Sequence, residues 1–392
     1  MPGYTCVVTA GSAEEGTAHG LRVGFLQPRF PGVRNIAVLR CGGLGDLLYA
    51  VPAMQSLADA YPGARLTLLT TVAHAEFLAG RPGPVHDVMA LPTVTGVSAP
   101  EDVEEDPSVV GRFLLRARER GFHLAVQLHG GGRWSNPFVR RLGAPHTVGC
   151  RTPDAVALSR WIPYRYYQNE VMRALEVVGL AGAAPTSLQP TIAVTPADAE
   201  AAAAALAGLP RPLLTVHPGA RDARRRWPVE RFADVAASAV REGAGVAIVG
   251  SAEERDLVQR VDAAVRERVP SAPGVRVLPG TLSAAGLVGV LAASDVVLAN
   301  DSGPRHLAQA VGAATVGLFW MGNVISAGPL ERARQRLHVS WTPACQICGA
   351  SYTDPAAPRC VHEESALTDI EVPEVLADVQ DLLRVDRLAR SS

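Results

Sequence analysis

"IAVLRCGGLGDLLYAVPAMQSL", residues 36–57, joins an apolar run to a glycine-rich turn and then to a longer amphipathic segment. The run before Arg40 reads as a strand buried on both faces, and the segment to about Ala60 reads as a helix. Strand, tight turn and helix open a βαβ unit. The same alternation continues outward: "ARLTLLTT" (64–71) precedes "AHAEFLAG", "VHDVMAL" (85–91) precedes a helix ending near Arg120, and "HLAVQLHG" (123–130) follows. It restarts with "LLTVHPG" (213–219), "GVAIVG" (245–250), "VRVLPG" (275–280), "DVVLAND" (295–301) and "TVGLFW" (315–320). Two α/β, doubly wound Rossmann-like domains in series are the expectation, and their ligands should lie in the loops after the strands.

Between the two series, residues 186–210 mix Pro, small residues and an Ala-rich run, and they read as a linker region carrying an ordinary helix. The division expected is an extension over 1–33, a first Rossmann-like domain over 34–185, and a second over 211–392. The extension is read as a flexible segment or an added strand. With 392 residues and 48% hydrophobic content, the chain can fill two cores. A formal net charge of −1 removes the electrostatic reason to expect a nucleic-acid partner. All 37 cationic residues are Arg, so Arg must carry any phosphate-binding role. The N-terminus does not read as a secretory signal, and no apolar stretch of about 20 residues reads as a membrane span. A cytoplasmic location is therefore expected, with peripheral membrane contact left open. Six Cys in a chain of this length do not suggest a disulfide scaffold.

The turn "RCGGLGDLL" is not a Walker A loop, which needs a Lys, and it does not complete G-x-G-x-x-G because Leu48 stands where the last Gly belongs. Two readings of it stand. Asp46 is a helix cap, or Gly42, Gly43 and Gly45 admit a substrate to the backbone while Asp46 faces a cleft. The second half weighs on the choice. "HPGARDARRRWP" (217–228) places Arg221, Arg224, Arg225 and Arg226 in one loop after a strand, and "NDSGPRHLAQA" (300–310) opens a helix at Ser302 and Gly303 with His306 one turn in. Arg residues beside a helix N-terminus suit a diphosphate.

Taken in order, "GGLGD", "HPGARDARRRWP", "GSAEERDL" and "NDSGPRHLAQAVGAATVGLF" resemble the heptosyltransferases, family 9 of the glycosyltransferases, over roughly residues 34–385. The resemblance implies the GT-B architecture, two Rossmann-like domains facing across a cleft. It also implies an inverting, metal-independent transfer of a heptose from a nucleotide-diphosphate donor, ADP-heptose, to a glycan or small-molecule acceptor hydroxyl. No cofactor is required for catalysis on this reading, and the absence of any Asp-x-Asp motif agrees with it. The family's base falls on Asp46, and Gly43 and Gly45 fall on the acceptor-side loop. The family's phosphate-binding Lys falls on Arg225, with Arg226 beside it, and its ribose-binding Glu falls on Glu253 or Glu254. Asp301, Ser302, Gly303 and His306 match the segment near the diphosphate and donor sugar. A carboxylate at a helix N-terminus is held as the anion, so its help as a base should come late, as positive charge grows on the attacking oxygen.

Two further stretches carry chemistry. "LHGGGRWSNPF" (128–138) offers Arg133, Trp134 and Asn136 as an acceptor-side loop, or else as a turn with a packing Trp; His129 and His217 each follow a strand and are candidates for structural roles. The tail "PACQICGASYTDPAAPRCVHEE" (343–364) contains Cys345, Cys348, Cys360 and His362, a ligand set for a structural Zn²⁺, with free thiols as the alternative. Two other functions remain beside transfer: a same-fold nucleotide-sugar epimerase or hydrolase, and a non-catalytic sugar-nucleotide binding protein.

Overall fold

The computed structural model describes residues 21–391 apart from 272 and 355, with side chains to 384. The first series runs β1 (Asn35–Leu39), α1 (Leu44–Ala60), β2 (Arg65–Thr70), α2 (Val72–Leu78), β3 (Asp87–Ala90) and α3 (Pro107–Glu119). It continues through β4 (Leu124–Gln127), α4 (Ser135–Arg141), β5 (His146–Arg151), β6 (Arg160–Pro163) and α5 (Glu170–Gly179). After α6 (Pro196–Ala205) the second series has β7 (Leu213–His217), α7 (Val229–Arg241), β8 (Gly245–Gly250), α8 (Arg255–Arg268), β9 (Val275–Pro279) and α9 (Ala284–Ala293). It ends with β10 (Val296–Asn300), α10 (Gly303–Ala310), β11 (Ala314–Trp320), α11 (Met321–Ala327), β12 (Gln335–Ser340) and α12 (Val372–Ser391).

Each sheet is six-stranded and parallel throughout, ordered β3-β2-β1-β4-β5-β6 and β12-β11-β10-β7-β8-β9. The expected pair of doubly wound domains is thus present. The central strands are the apolar runs read from the sequence: every residue of β7 and β10 is buried. Burying one such Leu or Val contributes about 1.5–3 kcal/mol. Three strands were not anticipated. Strands β5, β6 and β12 mix Arg, Thr, His or Gln among their apolar residues, and β6 and β12 lie at sheet edges, where one side needs no apolar cover.

The region read as a linker is strapped down rather than loose. Thr195 and Asp198 form a capping box at the start of α6, and α6 packs on α9 beneath the second sheet. Asp198, itself buried, also receives Arg81 from the first domain at 2.7 Å. Helix α1 packs on α10. One buried cluster accordingly holds Leu47 and Val51 together with Val288, Leu291 and Leu307, so the two domains share a core there. Of the expected N-terminal extension, residues 1–20 lie outside the described residues. The described remainder adds no strand; it lies over α5 with Val23 and Phe30 buried, Gln27 N donating to Gly179 O at 2.9 Å, and Phe30 stacked on His146. Among the described residues no helix is long and apolar enough to cross a membrane.

Candidate functional site

The strand order reverses beside β1 in one sheet and beside β7 in the other, and the loops at the carboxyl ends of these strands face one another. Such switch points are where open α/β sheets bind ligands. Between them lies a cavity of about 790 Å³, lined on one side by Gly43, Gly45, Asp46 and Tyr49 and on the other by Arg225, Glu254, Asp301, Ser302 and His306.

Asp46 is the third residue of α1, and the helix cap is Gly43 rather than Asp46 itself. Its Oδ2 accepts from Gly43 N at 2.7 Å, closing the turn, and its Oδ1 accepts from Arg40 Nη2 at 2.8 Å. Asp46 is therefore not the cap that one reading made it; from the third helical position it ties the turn, and its side chain remains 44% exposed at the cavity. Gly42 has φ +102°, and a methyl there would meet Asp46 Oδ2 at 2.5 Å, so only Gly fits. Gly45 serves close approach instead, since a methyl there would stand 3.0 Å from the His306 ring. Arg40 is buried and fully engaged: it also donates to Asp46 O at 2.7 Å, to Leu128 O, and to Glu170 Oε2 at 3.3 Å. It fixes the orientation of the carboxylate.

Across the cavity, Asp301 receives His306 Nε2 on Oδ1 at 2.9 Å, and Arg225 Nη1 at 3.1 Å and Asn323 Nδ2 at 2.5 Å on Oδ2. Burial pushes its pKa up, but the His306 hydrogen bond and the Arg225 charge outweigh this and hold it at about 2. Burial and the neighbouring Arg305 cation lower the pKa of His306. Arg305 Nη2 donates to His306 Nδ1 at 2.8 Å, which leaves the ring proton on Nε2 for Asp301. Tyr49 OH stands 2.7 Å from the same Nε2, linking α1 to α10 across the domains. His217 joins the two remaining donor-side candidates, with Nδ1 3.2 Å from Ser302 Oγ and Nε2 3.3 Å from Glu254 Oε2. Its hydroxyl turns to His217, and Ser302 makes no side-chain cap on α10, whose first residues Gly303 and Pro304 line the cavity.

Glu254 is held at a pKa of about 2: burial would raise it, but hydrogen bonds from His217 and Ser251 N prevail. A group depressed below its unfolded value adds stability that is fully present above the usual carboxylate range and lost as pH falls through about 2. Glu254→Gln should therefore melt below wild type at pH 7, and the deficit should close as the melting curves are followed down toward pH 2. A deficit independent of pH would contradict the assignment.

The structure separates the expected residues. Glu254 lines the cavity whereas Glu253 is exposed outside it. Arg221 and Arg225 line it; Arg226 turns away to Ala220 O at 2.9 Å, and Arg224 is paired to Asp222 at 2.6 Å. Arg133 and Trp134 are not on the cavity. Trp134 folds onto Gly96, where a side chain would overlap its indole, and Arg133 lies over Trp134 beside Glu101 and Asp154. Asn136 is buried, bonded to Cys150 O and Val156 O, so this loop has the packing role. Sequence reasoning missed Arg40, Tyr49, Glu170 and Asn323. Tyr49 carried a signal, being one helical turn from Asp46; Glu170 and Asn323 reach the site from the starts of α5 and α11, distant in sequence, and carried none.

In the tail, one ligand atom from each of Cys345, Cys348, Cys360 and His362 lies within 4.8 Å of the others. Backbone N–H groups of Cys348 and Ile347 point at the Cys345 sulfur and lower its pKa to about 6, toward the thiolate that metals bind. Three thiols and an imidazole at this spacing fit a tetrahedral ion.

A family model described as glycosyltransferase family 9 (heptosyltransferase) matches residues 113–349. Lipopolysaccharide heptosyltransferase 1 of Pseudomonas aeruginosa is 25% identical over 320 residues, covering 80% of this chain and 86% of that protein. Lipopolysaccharide core heptosyltransferase OpsX of Haemophilus influenzae is 20% identical over 361 residues, 89% of this chain and 97% of that protein. Among solved structures, ADP-heptose LPS heptosyltransferase II of E. coli shares the fold with a TM-score of 0.68 at 18% identity, over 90% of this chain and 99% of that one.

Proposed function

The chain belongs to glycosyltransferase family 9, and from that premise we propose that it transfers a heptose from ADP-heptose to a hydroxyl of a glycan or small-molecule acceptor, with inversion and without a catalytic metal. The observation that carries this reading is that Asp46 of one domain and Arg225, Glu254 and Ser302 of the other line a single cavity. The names of relatives, an ADP-heptose enzyme among them, support the donor.

In this reading the diphosphate sits at the N-terminus of α10, where Ser302 and the first helical N–H groups meet it, with Arg225 and Arg221 supplying positive charge. Glu254 takes the ribose hydroxyls, oriented for it by His217. The acceptor oxygen attacks the anomeric carbon from the Asp46 side. As that bond forms, the bond from the anomeric carbon to the diphosphate oxygen breaks and its electron pair leaves with ADP. The proton of the acceptor hydroxyl passes to Asp46. Each carboxylate oxygen already accepts one hydrogen bond and keeps a second lone pair, so the proton has a place to go without breaking the turn. Arginines and helix N–H groups then neutralise the leaving diphosphate, the task a divalent ion performs elsewhere. A thermal-shift panel of ADP-, GDP- and UDP-sugars tests the donor assignment. Stabilisation greatest with ADP-heptose is expected, and no stabilisation by any nucleotide sugar would overturn it.

We read the Cys345, Cys348, Cys360 and His362 cluster as a structural zinc site, since none of the four lines the main cavity. About one equivalent of zinc per chain is expected by elemental analysis of the purified protein. Chelation should lower the melting temperature, with recovery on Zn²⁺ and not on Mg²⁺. Metal-free protein melting like the untreated sample would contradict the assignment.

A further inference from the structure

Beyond Asp46 the main cavity reaches Glu170, Asn323 and Ser326, and a second pocket of about 220 Å³ shares these three residues. The other walls of this pocket are aromatic: Tyr164, Tyr166 and Tyr167 from the loop before α5, Trp320 at the end of β11, and Tyr352 from the Cys-rich tail. It opens from the Glu170 end of the cavity, where Arg40 links Glu170 to Asp46, and it includes neither Glu254 nor Ser302 of the donor side. Its volume equals roughly seven waters at about 30 Å³ each, room for one sugar ring and too little for a nucleotide.

The tyrosine wall is held in place. Buried Arg173 donates to the carbonyls of Arg165 at 2.5 Å, Tyr166 at 3.3 Å and Gln168 at 3.4 Å, and its guanidinium lies 4.5 Å over the Tyr164 ring. Tyr166 and Tyr167 meet edge to face at 4.9 Å, and Tyr167 OH donates to Thr353 O in the tail. Trp320 is anchored by Nε1 to Thr342 O at 2.9 Å and meets Tyr352 edge to face at 6.2 Å. Rings fixed before ligand arrival offer contact at little entropic cost.

Charge narrows the occupant. Among the described residues lining this pocket, Glu170 is the one charged side chain, and it is already paired with Arg40 and Arg173. No lining cation remains to meet a carboxylate or phosphate. The Arg residues of the adjoining pocket already hold carboxylates, Arg224 and Arg359 on Asp222 and Arg225 on Asp301, and none of the three lines this pocket. An anionic ring would be desolvated there without compensation. The C–H faces of a neutral ring suit the aromatic walls, while its hydroxyls can meet Asn323, Ser326 and the Glu170 carboxylate.

We propose that this pocket is the acceptor subsite and that it takes an uncharged sugar ring, stacked against Tyr166 and presenting its hydroxyl toward Asp46. The proposal rests on reading the main cavity as the donor site. It is tested by saturation-transfer NMR on the full chain with ADP present, using a panel of neutral methyl hexosides, each paired with its uronate. Transfer to a neutral hexoside, on the order of tenfold weaker binding of the matching uronate, and loss of transfer in Tyr166→Ala with retention in Tyr166→Phe are expected. Equal or tighter uronate binding, transfer unchanged in Tyr166→Ala, or no transfer from any hexoside would overturn it. ADP binding is read in parallel by thermal shift. Its absence would strike the donor-site reading, while the hexoside result would still report on the pocket.

Discussion

Asp46→Asn is expected to lower turnover on the order of 10²–10⁴-fold, the worth of a positioned proton acceptor, while donor affinity stays at the wild-type level. The structure sharpens what else should change. Asn can still accept from Gly43 N, so the turn that the carboxylate closes at 2.7 Å survives. What is lost is the charge facing Arg40 at 2.8 Å, a partly exposed pair in which Arg40 keeps Glu170 as a second partner. A modest fall in stability, about 1 kcal/mol or somewhat more, is therefore expected beside the large kinetic effect. Measuring melting temperature, donor affinity and turnover on one preparation separates the roles. Wild-type turnover in the Asn variant would leave Asp46 as a turn-closing residue only.

Donor affinity should instead collapse in Arg225→Ala, by roughly 10- to 150-fold, the equivalent of about 1.5–3 kcal/mol for one charged hydrogen bond. Arg225 is three-quarters buried at the cavity wall and already aimed by Asp301 at 3.1 Å, so little entropy is lost when a diphosphate arrives. Arg225→Lys, which restores the residue type implied by the family resemblance, should keep much of the affinity because it keeps the charge. Calorimetric titration with ADP reads all three proteins. Unchanged affinity in Arg225→Ala would move the phosphate role to Arg221, the other Arg on the cavity wall. A fall in turnover alone would place Arg225 in the transition state rather than in binding.

Legibility from sequence followed burial. Strands β1, β4, β7 and β10 announce themselves because both faces are covered and every position is apolar or nearly so. Since these strands flank the switch points, the place of the site was legible too. Edge strands β6 and β12 bear Arg and His on partly exposed faces and give no such run. Within the site, Asp301 and Ser302 sit in a short strand-to-helix turn while Asp46 and His306 lie in the first turn of the helices that follow such turns, each turn beside a glycine, so local sequence places them. The Arg-rich loop did not resolve itself: the directions of Arg224, Arg225 and Arg226 depend on Asp222, Asp301 and Ala220 O, which only the folded loop assembles. Trp134 shows the converse. Its sequence reads equally as a ligand platform or as a packing side chain, and the choice is made by Gly96, whose missing side chain gives the indole a seat away from the cavity.

The central claim is that the cavity moves a sugar from a nucleotide to an acceptor. ADP release from ADP-heptose, followed in buffer stripped of divalent metal while a panel of neutral glycosides is titrated in, tests it directly. The account predicts ADP formation that rises with acceptor concentration, matched by a glycoside product heavier by one heptose and absent without acceptor. ADP release at the same rate with and without acceptor, or none at all from protein that binds the donor, would contradict it.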